Sequence, residues 1–325
     1  MLASGRPRQR DGPSSLKGDG RPSDTTGVTV SSEPAAGSAV TAWSAPVDLS
    51  TAASAVHTMS AAVVIVPTYN EADNIRAIWG RLREALPDVG LLVVDDNSPD
   101  GTGEIAEALA GEDPLTWVLH RPGKAGLGRA YSAGMAWALD HGARYIVEMD
   151  ADGSHDPGAL KTMLQLAAEG ADLVVGSRYV PGGSTSGWSR WRHALSRGGN
   201  SYVRLMLRLG VRDATSGFRV YSAATLHGIG LASIASQGYC FQIEMTLATA
   251  IAGGDIREVP IRFAERERGR SKMSWAVTME ALLRVTRWRL AGRRCPKRLL
   301  HTATGRAATP QSRSVDASSR APADA

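Results

Sequence analysis

Five short apolar runs recur through the middle of the chain, separated by segments of helical length and each closed by polar residues. Ala62 to Val66 and Leu91 to Val94 are continuous and rich in β-branched residues. That is the pattern of strands buried on both faces, which need no alternation with polar positions. Thr116 to His120, Tyr145 to Met149 and Leu173 to Val175 read as three further strands. Between the first two, Ile75, Ile78, Leu82 and Leu86 fall at helical spacing, with Asn70 as the expected N-cap and Pro87 as the stop. Helices are also expected near 102–110, 126–141 and 157–169. Strand and helix repeated at this rhythm imply right-handed crossovers and an α/β fold, with a mostly parallel, doubly wound sheet and flanking helices. Such sheets bind ligands beyond the carboxyl ends of their strands.

The flanks differ. Residues 1–58 are dominated by Ser, Ala, Gly, Pro and Thr and lack periodicity, so a disordered extension is expected there. Residues 59–292 form the expected folded domain, ending in an amphipathic basic helix, and 293–325 a disordered basic tail. Met59, directly before the first strand, is a candidate start codon. The formal charge of +5 is modest, but Arg284 to Arg298 holds seven Lys or Arg and no acid. A concentration of this kind suits a phosphate-rich partner, such as anionic lipid or nucleic acid. Nucleic acid is disfavoured, because aromatic and basic residues do not interleave and the strand ends are acidic. Two cysteines, Cys240 and Cys295, lack metal-type spacing, which argues against a disulfide scaffold or a zinc site. No apolar run approaches the roughly 18–20 residues of a membrane span, and the N-terminus has no apolar signal core. A cytoplasmic protein, peripheral on the inner face of the membrane, is therefore expected.

The chemistry should lie at the carboxyl end of each strand. The segments there are Pro67-Thr68-Tyr69-Asn70-Glu71, then Asp95-Asp96-Asn97-Ser98-Pro99-Asp100, then Asp150-Ala151-Asp152, and finally Gly176-Ser177-Arg178-Tyr179. Any one acidic cluster can be an ordinary turn. Several along one sheet edge suggest a cation site, and alternate carboxylates at Asp150 and Asp152 offer the hard oxygens that Mg²⁺ or Mn²⁺ prefers. The stretch Pro122 to Gly128 fits neither the P-loop nor the dinucleotide glycine pattern. Lys124 within it reads either as a donor contact or as a surface lysine. Glu244 reads either as a sugar contact or as a partner of nearby backbone. His155 and His193 read as bystanders, and Cys240 as a small buried residue. In the last helix, Trp275, Met279, Leu282, Leu283 and Val285 share one broad side with arginines interspersed. Such a helix can lie in a membrane interface or pack on the domain.

The strings VPTYNE, VVDDNSPDGT, GLGRAY, MDADGSH, VGSRYVPGG, SRGGN, TSGFRVY, GYCFQIEM and EVPIRFAERERGRSK together resemble one family. It is the dolichol- or polyprenol-phosphate mannosyltransferases of glycosyltransferase family 2, in particular the actinobacterial type. The likeness runs from about Val63 to Arg289. It implies a GT-A fold, a GDP-mannose donor, a polyprenyl phosphate acceptor and a divalent cation. By residue, it implies that Pro67, Tyr69, Glu71, Val94 and Asp96 cradle the nucleoside. Asp150 and Asp152 would hold cation and diphosphate beside the Ala151 backbone, with Ser154 standing where some relatives carry a liganding Gln. Arg178, Arg266 and Lys272 would contact diphosphate or lipid phosphate, and Arg192 and Ser196 the acceptor phosphate. Asp152, Arg178 and Arg266 are the implied catalytic set. A separate membrane subunit is compatible with the resemblance.

The implied reaction needs no side-chain base. A phosphate monoester has a second pKa of about 6 and is mostly dianionic near neutrality. The protein must instead hold two anionic groups together and stabilise the leaving nucleoside diphosphate. In-line attack on an α-linked donor then gives a β-linked product. A polyprenyl-phosphate glucosyltransferase using UDP-glucose would share nearly every motif. A catalytically silent nucleotide-binding scaffold would have no need of the full acid and Arg/Lys set.

Overall fold

The computed structural model describes residues 60–231, 234, 236, 238–265 and 275–292. The expected disordered segments at 1–58 and 293–325, and the expected site residues Arg266 and Lys272, lie outside the described residues.

In chain order the elements are β1 (Ala62–Thr68), α1 (Ala72–Ala85), β2 (Gly90–Asp95), α2 (Thr102–Glu112), β3 (Thr116–His120) and α3 (Leu127–Asp140). Then come β4 (Tyr145–Glu148), a 3-10 turn (Pro157–Ala159), α4 (Leu160–Ala168), β5 (Leu173–Ser177), β6 (Ser184–Thr185) and α5 (Arg190–Leu207). The last are β7 (Arg219–Ser222), α6 (Ala223–Ile229), α7 (Gly238–Ile251), β8 (Ile256–Pro260), β9 (Arg262–Phe263) and α8 (Trp275–Leu290). A seven-stranded sheet runs β3-β2-β1-β4-β7-β5-β8, and β6 pairs with β9 beside it. All pairs in the large sheet are parallel except those of β7, which is antiparallel to both β4 and β5.

All five expected strands form, with local differences. Asn70 is not the helix cap: it holds a left-handed φ of 61°, and α1 begins after Glu71. The helix expected from 157 opens as a 3-10 turn, because Pro157 occupies the first position and the Asp156 side chain accepts the Gly158 N–H at 2.9 Å. Strands β7 and β8 were not evident in the sequence. Each is short, and each carries an arginine where a buried strand is expected to be apolar.

Successive strand residues face opposite sides, as the pleat requires. Val64, Val66, Leu91 and Val93 pack with Ile75, Ile78 and Leu82 of α1 and with Leu160 and Met163 of α4. Val63, Ile65, Leu92 and Val94 pack on the other side with Tyr131 and Met135 of α3 and with Phe241 and Met245 of α7. Helix α3 lies close to the strands at Gly134, where an added Cβ would meet Ile65 Cγ2 at 2.6 Å. A third cluster joins Val203 and Leu207 of α5, Ile243 and Leu247 of α7, and Val285 and Trp288 of α8. The apolar side expected for the last helix is therefore divided: Val285 and Trp288 point inward, while Met279 and Leu283 are exposed.

The antiparallel insertion is held by Arg219, which is fully buried. Its Nε donates to Ser216 O at 2.7 Å and its Nη2 to Ala214 O at 2.7 Å. Its Nη1 donates to Tyr221 Oη, Gln242 O and Thr246 Oγ1 at 2.8–3.1 Å. Glu148, its cross-strand partner on β4, lies 4.0 Å away and is also fully buried. Complete burial pushes the Glu148 carboxyl up to about 7 against the pull of Arg219. Arg219→Met would strand five acceptors and a buried acid. It is expected to lower the unfolding free energy by about 3–5 kcal/mol, read as a shift of the urea midpoint at unchanged slope. A loss below about 1 kcal/mol would show that the network does not hold β7.

Candidate active site

The polar strand ends meet along one edge of the sheet, and hydrogen bonds tie them to one another. Asp95 accepts Thr68 Oγ1 at 2.9 Å and the Ser98 N–H at 3.0 Å, joining the loops after β1 and β2. Asp100 accepts the Thr102 N–H and the Ala72 N–H, both at 3.1 Å, so it fixes the starts of α2 and α1 together. Asp96 forms a buried ion pair with Arg121. Burial raises its carboxyl above the usual range, and Arg121 opposes that shift. Tyr69 carries Lys124 Nζ 4.1 Å from its ring centroid, so the Pro122 to Gly128 loop lies against the end of β1. Glu71 Oε2 accepts the Asn74 amide at 2.7 Å. Val94 is fully buried, with its side chain beneath Gly134, and does not face the cleft. Pro67 is half-buried at the end of β1.

Asp150 and Asp152 leave β4 one residue apart, with Ala151 packed into the core between them. Tyr131, fully buried on α3, donates its hydroxyl to Asp150 Oδ1 at 2.9 Å. Burial, then the charges of Asp150, Glu148 and Asp152, hold that hydroxyl well above its ordinary pKa, so it stays a neutral donor. Asp152 Oδ1 accepts the Ser154 N–H at 3.0 Å, which turns the chain back on itself. Ser154 Oγ is buried and has no hydrogen-bond partner among the described residues. Gly217, just before β7, brings backbone close to this pair: an added Cβ there would lie 3.3 Å from Asp150 Oδ2.

The end of β5 contributes Arg178, and the structure supplies the partner that the sequence did not reveal. Asp213, fully buried, accepts Arg178 Nε and Nη2, both at 2.7 Å, and the Arg178 N–H at 2.9 Å. Glu258 of β8 in turn accepts the N–H groups of Arg212 at 2.8 Å and Asp213 at 3.0 Å. Arg178 is thus clamped in a fork from a rigid turn, and its guanidinium also lies 5.3 Å from the Trp188 ring. From α5, Arg192 lies 4.3 Å from that same ring and bonds Glu265 at 3.3 Å. Ser196 accepts the Tyr179 hydroxyl at 2.7 Å.

Asp150, Arg178, Arg192 and Ser196 line one cavity. Residues Leu195 and Val203 of α5, Ile243 of α7, and Ala281 and Leu282 of α8 complete its wall. The structure therefore gathers Asp150, Arg178, Arg192 and Ser196 around a common space. Pro67, Tyr69, Glu71 and Asp96 sit along the neighbouring strand ends of β1 and β2. Glu244 bonds the Ser236 N–H at 3.1 Å, which favours its backbone reading. His193 joins Thr185 at 3.1 Å and lines no cavity. His155 is different: it is buried against the cavity, 3.8 Å from Asp150 Oδ2. Cys240 is buried, which pushes its thiol up to about 11 and leaves it no nucleophile. Tyr131, Asp213 and Trp188 had no place in the sequence-based site. Tyr131 sits within GLGRAY, but nothing in the string shows that its hydroxyl reaches across the sheet.

Among the described residues no group of three or more His, Cys, Asp or Glu is placed to hold a metal ion. Two carboxylates with Ser154 fit instead a cation whose remaining ligands come from substrate phosphate and water.

Residues 63–230 match Glycosyl transferase family 2. Over 231 residues the chain is 52% identical to undecaprenyl-phosphate mannosyltransferase of Micrococcus luteus, spanning 71% of this chain and 95% of that protein. It is 49% identical over 232 residues to polyprenol monophosphomannose synthase of Mycolicibacterium smegmatis, spanning 71% of this chain and 88% of the relative. Among solved structures, a mannosyltransferase from Pyrobaculum calidifontis in complex with GDP-Man and Mn²⁺ aligns with a TM-score of 0.51 at 19% identity, over 75% of this chain and 69% of that one. Glucosyl-3-phosphoglycerate synthase from Mycobacterium tuberculosis, with Mn²⁺ and UDP, aligns at 0.51 and 22% identity, over 73% of this chain and 81% of that one. At such identities these two speak for the fold alone. The strand order, the acid pair after β4 and the extended likeness to curated relatives agree: the chain belongs to glycosyltransferase family 2 and has the GT-A fold.

Proposed function

We propose that this chain is an inverting glycosyltransferase that moves mannose from GDP-mannose onto the phosphate of a polyprenyl phosphate. The observation that carries this reading is the cavity beside Asp150. It combines arginines and hydroxyls suited to a phosphate with an apolar wall from three helices suited to the hydrocarbon attached to it. The names of the two relatives at about 50% identity supply the choice of mannose and polyprenyl phosphate.

On this reading, the ends of β1 and β2, with Pro67, Tyr69, Glu71 and Asp96, receive the nucleoside. Asp150, Asp152 and Ser154 Oγ would hold a divalent cation, Mg²⁺ or Mn²⁺, with the diphosphate against the Ala151 backbone. The buried, partnerless Ser154 oxygen and the hard oxygen set fit such an ion. A bound cation of this kind supplies Lewis-acid stabilisation of the departing diphosphate. Arg178, with Arg266 and Lys272 from outside the described residues, meets the negative charge of the two substrates. Arg192 and Ser196 hold the acceptor phosphate, whose own dianion is the nucleophile, so the chemistry needs no side-chain base.

The acceptor lies in a bilayer, and α5 with α8 forms the proposed contact. The two helices are joined by Tyr202 Oη and Thr286 Oγ1 at 2.7 Å. Trp191, Leu205, Leu283 and Leu290 are each more than half exposed. Helix α5 contains no acid, and the only acid of α8, Glu280, bonds Arg284 at 3.1 Å. Exposed apolar side chains among arginines suit an anionic headgroup layer. No helix among the described residues is long and apolar enough to cross a membrane. The domain from 59 to 292 would thus work as a peripheral enzyme on the cytoplasmic face, alone or beside a separate membrane subunit.

Incubation with native membranes and labelled donors tests the substrate pair: label is expected in polyprenyl phosphate from GDP-mannose, and incorporation from UDP-glucose alone would overturn the mannosyl assignment. Asp152→Ala is expected to cut transfer by about 10²–10³-fold with an unchanged thermal midpoint; near-normal turnover would remove Asp152 from the machinery. Leu205→Glu combined with Leu283→Glu should weaken binding to vesicles containing phosphatidylglycerol by about tenfold or more. Equal binding in flotation assays would show that another face meets the membrane.

A further inference from the structure

His155 was expected to be a bystander, yet its surroundings are those of a ligand-binding group. Its side chain is only 2% exposed and lines the cavity beside Asp150. Among the described residues neither ring nitrogen has a hydrogen-bond partner, and Asp150 Oδ2, at 3.8 Å from Nε2, is beyond bonding distance. A buried imidazole lacking both partners is costly and uncommon in a closed interior. The ring is nevertheless held firmly. It stacks on Phe218 at 4.7 Å and meets Phe263 edge-on at 5.3 Å, while its own carbonyl accepts Arg81 Nη2 at 3.1 Å.

Other atoms of the cavity wall share this condition. Trp188 Nε1 and Arg192 Nε are buried without partners among the described residues, as is Asn200 Oδ1. The first two are donors by their chemistry, and a neutral imidazole always carries one N–H. Donors awaiting an acceptor, next to the clamped Arg178, call for an anion.

We infer that His155 is a catalytic residue that donates a hydrogen bond to the acceptor phosphate and orients its attacking oxygen at the sugar. The inference rests on the proposed transfer to a lipid phosphate and adds to it a contact beside those of Arg192 and Ser196. No ionisation of the ring is required, since the neutral form already donates. Its place beside Asp150 puts the phosphate at the boundary between the cation site and the apolar wall, where the nucleophile must stand for an in-line attack.

Farnesyl phosphate serves as a dispersible acceptor, with the full chain, Mn²⁺ and GDP-mannose. His155→Phe keeps the aromatic stack and removes the N–H, whereas His155→Asn keeps an N–H and gives up the stack. His155→Phe is expected to raise the KM for farnesyl phosphate, and its calorimetric Kd, by about tenfold, the loss of one charge-assisted hydrogen bond. The KM for GDP-mannose and the Mn²⁺ half-saturation should stay within about twofold of wild type, on the same ground that this bond touches the acceptor alone. His155→Asn should recover part of the lost acceptor affinity. An unchanged farnesyl phosphate affinity in His155→Phe would overturn the inference, as would a change confined to nucleotide or Mn²⁺ binding. If wild type binds farnesyl phosphate but transfers no mannose to it, the donor assignment fails while the calorimetric comparison still decides the role of His155. Wild type that binds no isoprenyl phosphate at all defeats both.

Discussion

The site depends on an antiparallel strand wedged into an otherwise parallel sheet. Insertion of β7 brings the turn before it, through Gly217, to within van der Waals reach of the Asp150 carboxylate. A fully buried guanidinium makes that insertion possible. Arg219 satisfies carbonyls at residues 214 and 216 in the incoming turn and at 242 on α7, so one side chain fixes strand, turn and helix together. The fixed turn also carries Asp213, which holds Arg178. Glu148 and Arg219 inside the sheet, and Asp213 and Arg178 at its edge, are two buried ion pairs joined through the five residues between Asp213 and Arg219.

This arrangement gives the site its electrostatic character. Arg178 from β5 and Arg192 from α5 both lie against the Trp188 ring, and Arg178 also lies against Phe263. Opposite charges that could collapse onto each other are each tied to a local partner instead. Asp150 takes the Tyr131 hydroxyl, and Arg178 takes Asp213. Polar groups fixed before any substrate arrives need no reorganisation when charge shifts from acceptor to leaving group, which is the form of stabilisation a transfer between two phosphates requires.

The legibility of the sequence followed the range of the interactions involved. Val63, Ile65, Leu92 and Val94 announced buried strands because apolar runs need no distant information to be read. The acids after β2 and β4 were visible for the same reason, since a strand end and its turn are neighbours in sequence. Asn70 misled because a residue suited to a helix cap is equally suited to a left-handed turn, and the bonds that the Asn70 and Glu71 N–H groups donate to Ser98 and Thr102, about thirty residues away, decided between them. His155 misled in the other direction. Without a liganding neighbour in sequence it looked idle, yet Phe218 and Phe263 place its ring in the cavity wall.

What the sequence determined alone was the layered α/β architecture, the edge of the sheet that carries polar residues and, through its strings, membership of glycosyltransferase family 2. Local patterning and short motifs suffice for those, because strand burial and turn chemistry act over a few residues. Only tertiary structure decided that β7 runs backwards, that Arg178 answers to Asp213, that Val94 is core rather than cleft, and that α5 and α8 share one face. Each of these turns on a buried charge or side chain finding its partner dozens of residues away, and desolvation makes such pairings obligatory only once the chain has closed around them.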